Sequence, residues 1–165
     1  MSGGSTLPPL WRCPRCGRPF ANRNQSHACG VGDLDALFAR SEPQVRATFD
    51  RVVEAARRSG PLDVVPEKTR VALQVRMSFA AFMPRRRWLD GHVVLARALH
   101  AERFRTVETI SPRNHLHVFR LSTPEEVDAE VEAWLAEAYE VGAQRHLRRP
   151  PGRGADPDAR AGLRW

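Results

Sequence analysis

Lysine is almost missing from this sequence: Lys68 is the only one among 26 basic side chains. The arginine bias, together with abundant alanine, glycine and proline, is that of a GC-rich coding sequence, so the formal charge of +7 is partly codon usage. Cysteine is scarce too. Three cysteines cannot complete a disulfide framework, and two of them stand in a C-x-x-C pair, which in a reducing compartment points to metal binding or redox chemistry. No apolar run approaches the roughly 20 residues needed to cross a bilayer, and MSGGSTLPPL has neither the basic nor the apolar region of a secretory signal. The expectation is a cytoplasmic protein with no membrane partner. A Gly-rich phosphate loop and a G-x-S-x-G nucleophile motif are also missing, and Glu67, Asp90, Glu102 and Glu108 show no spacing of a metal-binding carboxylate pair. The balance favours a binding role over a catalytic one.

What is present suits one ordinary domain with a small appendage: 165 residues, 42% hydrophobic and 27% charged. Residues 1–10, rich in Gly, Ser and Pro, read as a disordered lead-in, and residues 148–165 as a disordered basic tail. Residues 11–30 are too short to bury a core without a metal, and residues 31–147 carry the periodicities of an α+β domain.

Within the short segment, Cys13-Pro14-Arg15-Cys16-Gly17 is a turn that lets two sulfurs reach one ion. His27 and Cys29, two residues apart on an extended segment, point to the same side and complete four ligands. The reading is a structural zinc knuckle. A thiol redox pair is the alternative, but such pairs open a helix, and Gly17 and Pro19 argue against one. Arg12, Arg15, Arg18 and Arg23, with no acid between Met1 and Gly30, suit nucleic-acid contact as well as a plain solvated surface.

Further along, Asp33 caps a short helix with Leu34, Leu37 and Phe38, and Ser41 with Gln44 has the spacing of a capping box for a longer one carrying Val45, Phe49, Val52, Val53 and Ala56. Gly60-Pro61 stops it. Period-two runs follow: a half-buried strand with Val71, Leu73 and Val75 on one face, then Phe79–Met83, Trp88–Ala96, Phe104–Ile110 and His115–Leu121. Asp90-Gly91 inside the third run reads as a bulge, or else as a hairpin turn. Thr123, Pro124 and Glu126 open a last helix with an apolar stripe of Val127, Val131, Trp134, Leu135, Ala138 and Val141. The fold class is therefore α+β, a small antiparallel sheet packed with helices behind a zinc knuckle.

In the blocks VPEKTRVALQVRMSFAAFMPRRRWLDGHVVLARAL, ETISPRNHLHVFRL and AWLAEAYEVG the chain resembles a bacterial domain-of-unknown-function family, number 5655, over about residues 33–147. Several members likewise carry a CPxCG-type zinc segment ahead of the domain. The resemblance implies a small α+β fold and carries over no catalytic residue.

Residues 68–120 hold eleven basic and three acidic side chains, and residues 121–141 seven acidic and no basic ones. Lys68, Arg70 and Arg76 around the first strand, with Arg113 and Asn114 before the last, are candidates for an anion site, because arginine's planar fork suits phosphate or carboxylate. Arg85, Arg86 and Arg87 read as a solvated turn. His115 and His117, on one strand face with Phe119 and Leu121, are either a metal or proton-exchange pair or, more simply, hydrogen-bonded members of the sheet. The leading function is a binding protein that engages nucleic acid or another polyanion through a cationic sheet and knuckle. A small-anion or nucleotide-handling enzyme and a protein-docking adaptor are the alternatives.

Overall fold

The computed structural model describes residues 7–27, 29–30 and 32–147. Most of the expected lead-in and the whole expected basic tail lie outside the described residues. Two two-residue strands, β1 (Trp11–Arg12) and β2 (Pro19–Phe20), form a hairpin around the Cys13–Cys16 turn. Helices α1 (Leu34–Phe38) and α2 (Pro43–Arg57) follow. Asp33 caps α1 by accepting from the Asp35 N–H at 2.9 Å. The box expected of Ser41 and Gln44 does not form. Glu42, in an extended conformation, occupies the cap and Pro43 the first turn, where a missing N–H costs nothing. Ser41 instead donates its hydroxyl to the Arg85 carbonyl, 2.7 Å away, tying the start of α2 to a strand end.

Six strands make one antiparallel sheet: β3 (Asp63–Pro66), β4 (Val71–Gln74), β5 (Ser78–Pro84), β6 (Leu89–Leu95), β7 (Thr106–Ser111) and β8 (Asn114–Leu121), in spatial order β3-β4-β5-β6-β8-β7. Strand β3 is short, ends in proline and lies at an edge, a place where a proline does not break a ladder; its sequence carries no alternation to announce it. The last helix is split. Pro124–Glu126 is a 3-10 turn, Val127 leaves helical backbone with its side chain buried, and Asp128 caps α3 (Ala129–Gly142) by accepting from the Val131 N–H at 3.1 Å.

Helices α2 and α3 cover one face of the sheet. Phe49, Val52 and Ala56 of α2 and Val131, Leu135 and Ala138 of α3 are buried with Leu73, Phe82, Leu89, Val93, Phe119 and Leu121 beneath them. The predicted apolar stripe of the last helix is the stripe that packs. Its acids pair with arginines at the margins of the same layer: Glu137 with Arg97 at 2.8 Å, Asp128 with Arg103 at 2.9 Å, and Glu132 with both Arg51 and Arg58. Part of the contrast between a cationic sheet and an anionic helix is thus neutralised inside the domain. No helix among the described residues is long and apolar enough to cross a membrane.

Asp90-Gly91 is neither a bulge nor a turn. Both residues pair regularly, Asp90 with Met83 and Gly91 with Phe82, in the middle of β6. The glycine has a packing reason: a Cβ there would lie 2.6 Å from the Phe82 ring, which lies over residue 91 in the core. Gly91→Ala should therefore overpack the core and lower stability by about 1–3 kcal/mol. Urea unfolding should show an earlier midpoint at unchanged slope; an unmoved midpoint would mean that the ring swings aside freely.

Candidate metal centre and uncovered sheet face

The hairpin builds a tight turn. Cys13 N–H donates to the Arg18 carbonyl at 3.0 Å and Gly17 N–H to the Cys13 carbonyl at 2.8 Å, while Gly17 takes φ +71°, a left-handed conformation that suits glycine. This brings the Cys13 and Cys16 sulfurs toward His27 and Cys29. The four ligand atoms all lie within 4.8 Å of one another, so the group could hold a metal ion. Cys13 Sγ is 3.8 Å from Cys29 Sγ, and His27 Nε2 is 3.3 Å from the sulfurs of both Cys16 and Cys29.

The surroundings choose the protonation state of the ligands. His27 Nδ1 donates to the Gln25 carbonyl at 2.6 Å, which leaves the Nε2 lone pair directed at the sulfurs, as a metal-ligating imidazole requires. Phe20, itself buried, covers that ring at 4.2 Å between centroids. The Arg18 backbone N–H, against the opposing effect of burial, brings the Cys16 thiol down to about 6. Burial, and behind it the neighbouring Cys13 sulfur, pushes the Cys29 thiol up. Three sulfurs this close cannot all ionise without a cation between them, and a dication resolves the conflict.

The knuckle lies on the sheet face opposite the helices. Gln74, only 5% exposed, donates its side-chain amide to the Pro19 carbonyl at 2.6 Å, and a cavity of about 390 Å³ between Cys16, Pro19, Val65 and Gln74 marks the seam. This contact explains why β4 is buried on both sides, where its sequence predicts a half-exposed strand.

A family model described as a domain of unknown function, DUF5655, matches residues 34–142, more than half of the chain. The chain belongs to the DUF5655 family. The matched span starts with α1 and ends with α3, so the Cys/His group precedes it. No curated protein and no solved structure matches the chain.

Within the DUF5655 domain the anion-site candidates do not meet. Lys68 and Arg70 lie in the β3–β4 connection at one end of the sheet, whereas Arg76, Arg113 and Asn114 lie at the other. Arg76 is occupied in structure, donating to the Gln144 side chain at 2.9 Å and to the Pro8 carbonyl. Arg113 is exposed at the β7–β8 turn, and Asn114 donates to the Ser111 hydroxyl at 3.0 Å. His117 is fully buried: it donates from Nδ1 to the His115 carbonyl at 2.9 Å, accepts the Leu99 N–H at Nε2 at 2.9 Å, and packs on Phe104 at 4.8 Å. His115 meets Thr109 Oγ1 at 3.0 Å. With both His117 nitrogens engaged, the two histidines form no metal pair.

Of these candidates only Arg70 reaches a second concavity, on the part of the uncovered face that the knuckle leaves open. Arg85, Arg105 and Arg120 join it around His92, enclosing about 440 Å³. Period-two alternation along β6 and β8 is a signal that could place His92, Val118 and Arg120 on the non-core face, but no spacing brings the arginines of separate loops beside them.

Proposed function

We propose that this protein is a zinc-knuckle binding protein that engages a polyanion, nucleic acid in the first instance, on the cationic part of its uncovered sheet face. The convergence of Arg70, Arg85, Arg105 and Arg120 on one concavity supports this reading, since phosphate contacts dominate the affinity of such proteins. Zinc is supported by the donor set. Three thiolates and an imidazole are borderline-soft ligands, and a tetrahedral ion with zinc–sulfur bonds of about 2.3 Å has sulfur–sulfur edges of about 3.8 Å. The Cys13–Cys29 separation of 3.8 Å agrees. Four protein ligands leave no position for substrate or activated water, so the ion's role is to fold the knuckle and hold it on the sheet. Three unpaired thiols suit a reducing compartment such as the cytoplasm.

The test is a salt titration of the metal-loaded protein with duplex DNA, single-stranded DNA and RNA. Affinity should fall with a log–log slope of about −0.9 per duplex phosphate neutralised, and Arg120→Ala should reduce the slope by about one contact while weakening all sequences alike. Absence of binding to any of the three at low salt would overturn the reading.

A further inference from the structure

The concavity around His92 is more specific than a cationic patch. A single row of paired residues crosses the whole sheet: Val65, Ala72, Ala81, His92, Val118 and Thr106. The alanine at 81 keeps the floor low beside His92, and the arginines rise around it. Asp90 orients two of them, accepting Arg85 Nε at 3.0 Å and Arg120 Nε at 2.9 Å, and the Arg120 plane lies 4.1 Å from the Trp88 ring. Glu67 holds Arg70 the same way, through Nε at 2.6 Å. All three arginines therefore spend Nε on a carboxylate and keep their terminal amino groups without a hydrogen-bond partner among the described residues. Among the described residues Arg105 forms no ion pair at all, and neither ring nitrogen of His92 has a hydrogen-bond partner. Four guanidinium charges against the carboxylates of Asp90 and Glu67 leave a surplus of two positive charges.

We infer that this concavity is a binding site for a terminal phosphate, a phosphomonoester dianion that lies on His92 and is gripped by the free ends of Arg70, Arg85, Arg105 and Arg120. The inference rests on the polyanion reading of this face and narrows it. A phosphodiester carries one charge and offers two free oxygens, which would leave the site half neutralised; a monoester carries about −1.5 to −2 and offers three. Guanidinium forks already oriented by carboxylates lose little freedom on binding such a group. Burial, with the Arg70 charge behind it, holds His92 down to about 4, so at neutral pH it meets the ligand as a neutral ring with one N–H to donate. The phosphate can come from the 5′ end of a strand or from a free mononucleotide.

Matched single-stranded oligonucleotides with a 5′-phosphate and a 5′-hydroxyl separate these possibilities, with a nucleoside 5′-monophosphate and its nucleoside as competitors. The 5′-phosphate should tighten binding by about tenfold or more, as one or more hydrogen bonds between charged groups imply. Arg105→Ala and His92→Gln should each remove most of that preference, and the monophosphate should compete where the nucleoside does not. Both variants should keep the wild-type circular dichroism, Arg105 because it is exposed and glutamine because it fits a strand face. Equal binding of the two strands, with no competition by the monophosphate, would overturn the terminal-phosphate site and leave the polyanion reading standing. Binding of the monophosphate with no strand binding at low salt would do the reverse, keeping the site with a free ligand as its source. If nothing binds, both fall.

Discussion

Replacing Cys16 with serine is expected to empty the metal centre and release residues 11–30 from the sheet, while the α+β domain still unfolds cooperatively. The knuckle has little of its own to bury, and among its described residues Cys13 and Phe20 are the only buried apolar ones. Its order depends on the four ligands, and structural zinc in such short segments contributes about 10–16 kcal/mol of apparent binding energy at neutral pH, nearly all of it as folding. Removing one of three thiolates removes the closed tetrahedron. Wild-type protein should carry about one zinc per chain by elemental analysis and the variant none. Amide exchange should accelerate through Trp11–Gly30 and at β3 and β4, whose outer face the knuckle covers, and remain slow in β6, β8 and α3. We propose the independence of the α+β domain on the ground that its main core contains no knuckle residue. A metal-free wild-type preparation with a protected N-terminal segment would contradict the first half, and collapse of α3 protection in Cys16→Ser the second.

Acid should destabilise the ligand-free protein well before its carboxylates titrate. His92 has its pKa depressed to about 4, first by burial and then by the charge of Arg70, against 6.5 for the unfolded chain. The unfolded state then binds the extra proton in the interval between the two values, so this contribution is complete above 6.5 and is lost as the pH falls through about 4. A separation of this size corresponds to about 3 kcal/mol. His117 acts in the same direction, its pKa lowered chiefly by burial, and its protonation would also break the bond it accepts from the Leu99 N–H. The metal centre loses its ion in acid as well, but equally in wild type and in His92→Gln. The difference between their stability curves from pH 7 to 4 thus isolates His92: the variant's acid limb should be flatter by about 3 kcal/mol. Superimposable limbs would show that the imidazole is solvated in the folded state.

The bond between Gln74 and Pro19 has a bearing on both results. Arg70 lines the open concavity and also a smaller cavity shared with Phe20 and His27 of the knuckle, so loss of the metal should loosen one wall of the proposed phosphate site.

Much of the molecule was legible in its residues because the physics there is local. The four Cys and His side chains that could hold a metal ion sit within seventeen consecutive residues, where turn geometry alone brings them together. The stripe of α3 repeats at helical spacing, and strands β5 to β8 alternate or run apolar between clear turns. Thr123 and Glu126 form their capping box, but on the 3-10 turn Pro124–Glu126, and Asp128 caps α3 itself; local reasoning failed at Asp90-Gly91, a turn or bulge by composition, which is regular strand because Phe82 needs the space.

Spacing along the chain was enough for the fold class, for the four Cys and His side chains that could hold a metal ion, and for the core faces of the main helices. That the knuckle covers β4, that His117 belongs to the core, and that Arg70, Arg85, Arg105 and Arg120 surround His92 are matters of tertiary packing. Those facts depend on strand order and register, in which residue 81 faces 92, 92 faces 118 and 118 faces 106. Register is set by the packing of an entire buried face, and no spacing within a single strand records it.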